Sequence, residues 1–245
     1  FFLLFFYSNI IGLNPALAGS AIFIALCVDA VTDPLMGTIS DRTNSSYGRR
    51  HPFMMISFIP MSLGYIFLFA PRQDWDMSQS DLFIWMTIFT VITRIGMTLF
   101  DIPHRAFGGE VTKNYKERTI LMSWREMFGW VAGLSNAFLG YGVFFASTSE
   151  YPQGQLNPDA WFPFAVTGAI FMIVSVLYSS LSTKDEIKSL SKWSGSISLL
   201  DIVNELKIAI GNKSFLIFFF GNLFLSLAWG LANTLTLFVN TYFWE

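Results

Sequence analysis

Apolar residues run in long blocks along this chain, and short polar segments separate them. A membrane-crossing helix needs about 20 mostly apolar residues, so blocks of this length predict spans. A partial span lies at 1–13, and full spans lie near 16–40, 52–71, 82–104, 119–146, 160–181 and 214–242. The separators "GLNPAL", "APRQDWDMSQSD" and "STSEYPQGQLNPDAW" hold Pro, Asn, Gly or Ser, which break helices. The opening "FFLLFFYSNIIGL" has no Met, basic n-region or small-residue cleavage site, so it reads as the second half of a span and not as a signal peptide. With the ending "TLTLFVNTYFWE", it marks the 245 residues as an expected fragment of a longer protein.

Composition agrees with the pattern. Only 13% of residues are charged and 53% are hydrophobic, against about a quarter charged in soluble domains. Lys and Arg excess marks the cytoplasmic side of a membrane protein. Twelve of the fifteen basic residues fall in 41–51, 105–118 and 182–213, and the alternate segments hold only Arg72. Those three segments are therefore expected in the cytoplasm, with residue 245 outside. The connector 182–213 contains "SISLLDIVNELKIAI", where Leu199, Ile202, Val203, Leu206 and Ile210 recur at helical spacing. This predicts an amphipathic helix on the membrane surface. The expected organisation is an all-α polytopic membrane protein: a bundle over 1–181, the connector 182–213, and a seventh span, 214–245, that begins a second bundle.

The net charge of −2, without a continuous basic stripe, gives no sign of a nucleic-acid partner. Cys27 is the single cysteine, so an internal disulfide and a Cys-based metal site are excluded. It reads as a small buried apolar residue. The small residues of "GWVAGLSNAFLGYG", 129–142, are expected to allow close helix contact.

The chemistry is in the ionisable residues within spans: Asp29, Asp33, Arg94, Asp101, Arg125 and Glu126. Each costs at least about 2.5–3.5 kcal/mol at mid-membrane unless it faces a cavity or a partner. Asp29 and Asp33 lie one helical turn apart. Two carboxylates so close repel, and a small cation or a proton relieves that repulsion. Thr32 beside them and Thr98 on the fourth span are further oxygen donors. The bland alternative is that Asp33 caps a helix break at Pro34 while Asp29 pairs with Arg94 or Arg125.

On the fourth span, Arg94, Thr98, Asp101 and Arg105 form roughly one stripe, and Pro103 is expected to bend or end that helix just past Asp101. Asp101 is expected to face a cavity. Arg105 and His104 suit the cytoplasmic interface, where Arg105 snorkels and His104 is a pH-sensitive group or a satisfied interface residue. On the fifth span, Arg125 offers bidentate contacts to hydroxyl pairs, carboxylates or phosphate, or a structural pair with an Asp. Trp124 offers an apolar face to a sugar ring or acyl chain.

"DAVTDPLMGTISDRTNSSYGRRHPF", "TLFDIPHRAFGGEVTKNYKERT" and "SWREMFGWVAGL" resemble the glycoside–pentoside–hexuronide:cation symporters of the major facilitator superfamily, typified by melibiose permease. The resemblance runs over most of the chain. It implies twelve spans in two six-helix bundles with alternating access, of which this would be the N-terminal bundle plus the start of the second. It implies a cation site at Asp29 and Asp33 with Thr32 and Thr98, taking Na⁺, Li⁺ or H⁺, and sugar contacts at Asp101 and Arg125. Gly37, Asp41, Arg42, Gly48, Arg49 and Arg50 match the superfamily's cytoplasmic loop motif. Arg105 stands where the best-known members carry a sugar-stacking aromatic.

The reading is secondary active transport of a sugar or glycoside, monomeric when full length, in a bacterial inner membrane and with no cofactor beyond the coupling ion. A related branch resembling lysophospholipid symporters shares "DAVTDPL" and suggests an amphiphilic solute, whose head group Arg105 or Arg125 would serve. A membrane enzyme or receptor-like subunit is the competing class, with His104 and Asp101 its candidate cluster.

Overall fold

A computed structural model describes residues 2–112, 114–185, 208 and 210–243. The described residues are helical, with no strand among them. They comprise α1 (Phe2–Phe5), a π-helix (Phe6–Ile11), α2 (Pro15–Arg42), α3 (His51–Ile56), α4 (Phe58–Leu68), α5 (Gln79–Glu110), α6 (Tyr115–Leu139), α7 (Trp161–Ser182) and α8 (Lys213–Tyr242). Among them, six stretches are long and apolar enough to cross a membrane: Pro15–Arg42, His51–Leu68, Gln79–Glu110, Tyr115–Phe144, Pro158–Ser182 and Lys213–Ala232. Most of the expected amphipathic connector helix lies outside the described residues.

The polar separators encode the helix starts. Asn14 accepts from the Ala16 amide at 2.9 Å and Pro15 opens α2. Ser78 and Asp81 form a reciprocal capping box at the start of α5. Asn114 accepts from Lys116 N at the start of α6, and Asn212 from Ser214 N at the start of α8. Each side chain satisfies an amide that the helix itself leaves without a partner.

Two prolines lie inside continuous helices. α2 runs through Pro34 and α5 runs through Pro103, so neither residue ends its helix and Asp33 caps no break. Pro103 is fully buried, and Phe107 and Gly108 beyond it are buried too. Packing on the far side of the proline outweighs the one lost hydrogen bond, as is common where neighbouring helices compensate. Pro60 does interrupt its span: it offers no amide to Ile56, and the helix resets at Ser57 between α3 and α4.

The chain divides into two units, Phe6–Trp193 and Phe1–Phe5 with Ser194–Glu245. In the first, α5 packs on α2, α3 and α4, and α7 packs on α3 and α4. Where α4 crosses α5 the backbones nearly touch. A Cβ on Gly96 would come 2.4 Å from the Met61 amide nitrogen, and one on Gly64 would come 2.5 Å from Thr93 Oγ1. The predicted stripe at 129–142 is mixed: among the described residues nothing approaches the Cβ positions of Gly129 or Gly133 within 4 Å, but a Cβ on Gly140 would meet Phe145 at 3.3 Å and Phe164 of α7 at 3.5 Å. Helix α6 has no buried residue. Cys27 is exposed, contrary to the buried reading. Its helix is apolar on faces that no neighbour covers, so apolarity there does not imply burial inside protein.

An aromatic core closes the end opposite the basic segments. Phe69 stacks on Trp161 at 5.9 Å with the planes 8° apart, and Phe6 and Phe145 pack on the same indole. Tyr7 donates its hydroxyl to the Leu68 carbonyl at 2.8 Å.

Candidate functional site

Helices α2 and α5 run parallel at a constant sequence offset. Asn14 N donates to Gln79 Oε1, Arg94 pairs with Asp29, and Thr98 donates to Asp33, each pair 65 residues apart. Ile102 reaches the Cβ position of Gly37 at 3.6 Å with the same offset. Residues four apart share a helix face, so this register sets the acidic face of α2 against the polar stripe of α5.

Between them lies a cleft of about 360 Å³ lined by Asp29, Asp33, Met61, Arg94, Met97, Thr98, Phe100, Asp101, Ile102 and Arg105. That volume falls in the range of small-molecule sites, roughly 300–1,000 Å³. The cleft therefore brings together Asp29, Asp33, Thr98, Asp101 and Arg105. It adds Arg94 and an apolar wall of Met61, Met97, Phe100 and Ile102.

The three carboxylates are answered differently. Arg94 ion-pairs with Asp29 through Nε and Oδ2. Asp101 pairs with Arg105 one turn on, at 2.7 Å. Asp33 accepts a hydrogen bond from the neutral Thr98 hydroxyl at 2.6 Å. Among the described residues, Asp33 is the one carboxylate of the cleft outside an ion pair. Two further oxygens of α2 are buried without a hydrogen-bond partner: Asp29 Oδ1, and Oγ1 of Thr32, an expected member that does not line the cleft. Carboxylate and hydroxyl oxygens are the donors that hard cations take, so this set suits a small cation.

Two expected members sit apart. Trp124 lines a separate hollow with Thr119, Ile120, Ser123 and Met127, and stacks on Phe128. Arg125 pairs with its neighbour Glu126 at 2.7 Å and lines no wall of the cleft. Both lie on α6, which packs on α5 only sparsely. Electrostatic reach still spans that gap: Arg105 feels Glu126, and His104 feels Arg125. His104 stacks on Phe100 at 4.9 Å.

The loop motif forms a second polar centre at the C-terminal ends of the same helices. Arg50 reaches Asp41 Oδ1 through Nε at 2.9 Å and Glu110 Oε2 through Nη1 at 2.9 Å. Arg49 takes both Glu110 oxygens at 2.7 and 2.8 Å. Arg50 is 5% exposed, so its charge depends on these two carboxylates. Gly48, at φ +78°, takes the left-handed turn that aims the two arginines inward, a conformation that favours glycine. Glu110 was missed as a partner in the sequence. Its signal is faint: an acid at the very end of the fourth span, opposite a loop with an Arg pair. Beside this centre, His51 Nε2 lies 3.0 Å from Thr183 Oγ1.

Comparison with known proteins agrees with this architecture. The chain matches the family described as MFS/sugar transport protein over residues 1–245. It is 33% identical over 77% of its length to an uncharacterized symporter of Synechocystis, covering 34% of that protein. A putative glycoside/cation symporter of Escherichia coli is 26% identical over 87% of the chain, 44% of its own length. A sodium-dependent lysophosphatidylcholine symporter of Danio rerio is 31% identical over 54% of the chain, 25% of its own length. The chain thus spans less than half the length of these relatives. With six membrane-length helices, a polar cleft between α2 and α5, and a match along its whole length, this chain belongs to the MFS/sugar transport family of multi-pass membrane proteins.

Proposed function

We propose that the chain forms the N-terminal part of a cation-coupled symporter for a sugar or glycoside. The observation that carries this is Asp33, a carboxylate held by Thr98 in a membrane-embedded cleft with no counter-charge of its own. A monovalent cation there would take oxygens from Asp33, Thr98, Asp29 and Thr32. The solute would lie against Asp101 and Arg105 in the same cleft, with Arg125 and Trp124 joining from α6 when that helix closes on it. Cation binding and solute binding then favour each other, and that coupling is reciprocal.

The basic segments 41–51, 105–118 and 182–213 face the cytoplasm, which puts the Arg50–Asp41–Glu110 centre at the inner mouth. The relatives named as symporters support this reading, and the bacterial ones among them favour a bacterial inner membrane.

An amphiphile such as a lysophospholipid is the second reading. Arg105, 57% exposed beside the apolar wall of the cleft, suits an anionic head group, and one relative is named for lysophosphatidylcholine.

The test is uptake into proteoliposomes carrying the full-length protein, with glycosides and lysolipids offered with and without Na⁺. Na⁺-stimulated uptake that disappears in Asp33→Asn supports the assignment. Stimulation that survives the substitution overturns it.

A further inference from the structure

Asp29 and Asp33 sit one turn apart on α2, yet α5 answers them unequally. Asp29 meets a guanidinium, and Asp33 meets a neutral hydroxyl. Arg105 balances Asp101. Three carboxylates against two guanidinium groups leave the described cleft one net negative charge. The geometry points to Arg94 as a tethered cation that sets the valence of the ion this cleft accepts. This rests on the reading of the cleft as a coupling-ion site and assigns a residue that reading does not use.

Two unpaired carboxylates one turn apart would present two negative charges, a natural seat for a divalent ion. With Arg94 on Asp29, a monovalent cation at Asp33 completes neutrality. A divalent ion would leave a net positive charge, which is costly where water is scarce.

Asp29 can hold Arg94 and still serve the ion. Its Oδ2 takes the guanidinium, and its Oδ1 is buried without a partner. Asp29 is 13% exposed and Arg94 35% exposed, so the arginine is the more open partner of the pair.

The test is calorimetric titration of the detergent-solubilised full-length protein with CaCl₂ and, separately, NaCl. Arg94→Gln is expected to bind Ca²⁺ at least about tenfold more tightly than the parent, because one unit charge is removed a few ångströms from the site. Arg94→Lys keeps the charge and should show no gain. Arg94→Gln combined with Asp29→Asn restores one net negative charge and should lose the gain. An Arg94→Gln protein with the parent's Ca²⁺ affinity overturns the proposal. So does a parent protein that binds Ca²⁺ as tightly as Na⁺, a result that needs no variant to fold. Failure of the underlying site reading shows elsewhere, as cation-stimulated uptake that survives Asp33→Asn.

Discussion

Thr98 donates its hydroxyl to Asp33 at 2.6 Å, in the same register that sets Arg94 on Asp29 one turn away. The two contacts share a helix pair, yet they do different work. The ion pair cancels a charge, and the hydroxyl only orients one. Thr98→Ala removes an oriented oxygen and leaves Asp33 charged. Hydrogen bonds to charged groups are worth about 1.5–3 kcal/mol, so Na⁺ affinity should fall about tenfold or more. Thr98→Ser should keep most of it. Na⁺ titration of the full-length protein checks this, and equal affinities for the Ala and Ser variants would remove Thr98 from the site.

Glu110 is the shared partner of two guanidinium groups, one of them 5% exposed. Glu110→Gln keeps the shape and removes the charge. Glu110 is 34% exposed and Asp41 remains on Arg50, so the loss should be about 1.5–3 kcal/mol, the worth of a hydrogen bond to a charged group, and not the cost of breaking a fully buried pair. Thermal unfolding of the detergent-solubilised protein should show a clear drop in Tm. A Tm within a degree or so of the parent would mean that water already satisfies these arginines.

Gly96 and Gly37 separate close packing from ordinary contact. A Cβ on Gly96 would lie 2.4 Å from a backbone nitrogen of α4, and backbone cannot swing aside. Gly96→Ala should push the two helices apart and cost about 1–3 kcal/mol. A Cβ on Gly37 meets only Ile102 Cγ2 at 3.6 Å, so Gly37→Ala should leave Tm unchanged or raise it slightly. The reverse ordering of the two variants would refute the crossing geometry.

Much of this molecule was legible in the residues themselves. Apolar length alone foretold the spans, whereas the caps Asn14, Ser78, Asn114 and Asn212 emerged only from the helix starts they serve. The i, i+4 spacing of Asp29 and Asp33, and the stripe from Arg94 to Arg105, named the residues that share the cleft. What spacing could not reveal was partner choice. Arg94 and Arg125 were equal candidates for Asp29 until the fixed offset between α2 and α5 selected Arg94. Glycines misled for a related reason. Close approach depends on what faces a small residue, and Gly129 faces nothing while Gly96 faces a backbone. Spacing also left open whether Pro103 bends or ends its helix, and α5 continues through it with Pro103, Phe107 and Gly108 buried.

The Gln79 side chain carries one last consequence. Its amide donates to the Gly12 carbonyl at 2.9 Å and accepts from Asn14 N at 2.8 Å, so it grips the main chain where α2 begins. Asp29–Arg94 and Asp33–Thr98 fasten the same two helices midway, and Arg50 bridges Asp41 to Glu110 at their far ends. These are rungs of a ladder at three heights. Sliding one rail by a helical turn would break the rungs at both ends, while at mid-height it would set Asp33 opposite Arg94. The three rungs therefore oppose a slip of α2 along α5, whereas α6 packs on α5 only sparsely and has no such ladder to hold its height.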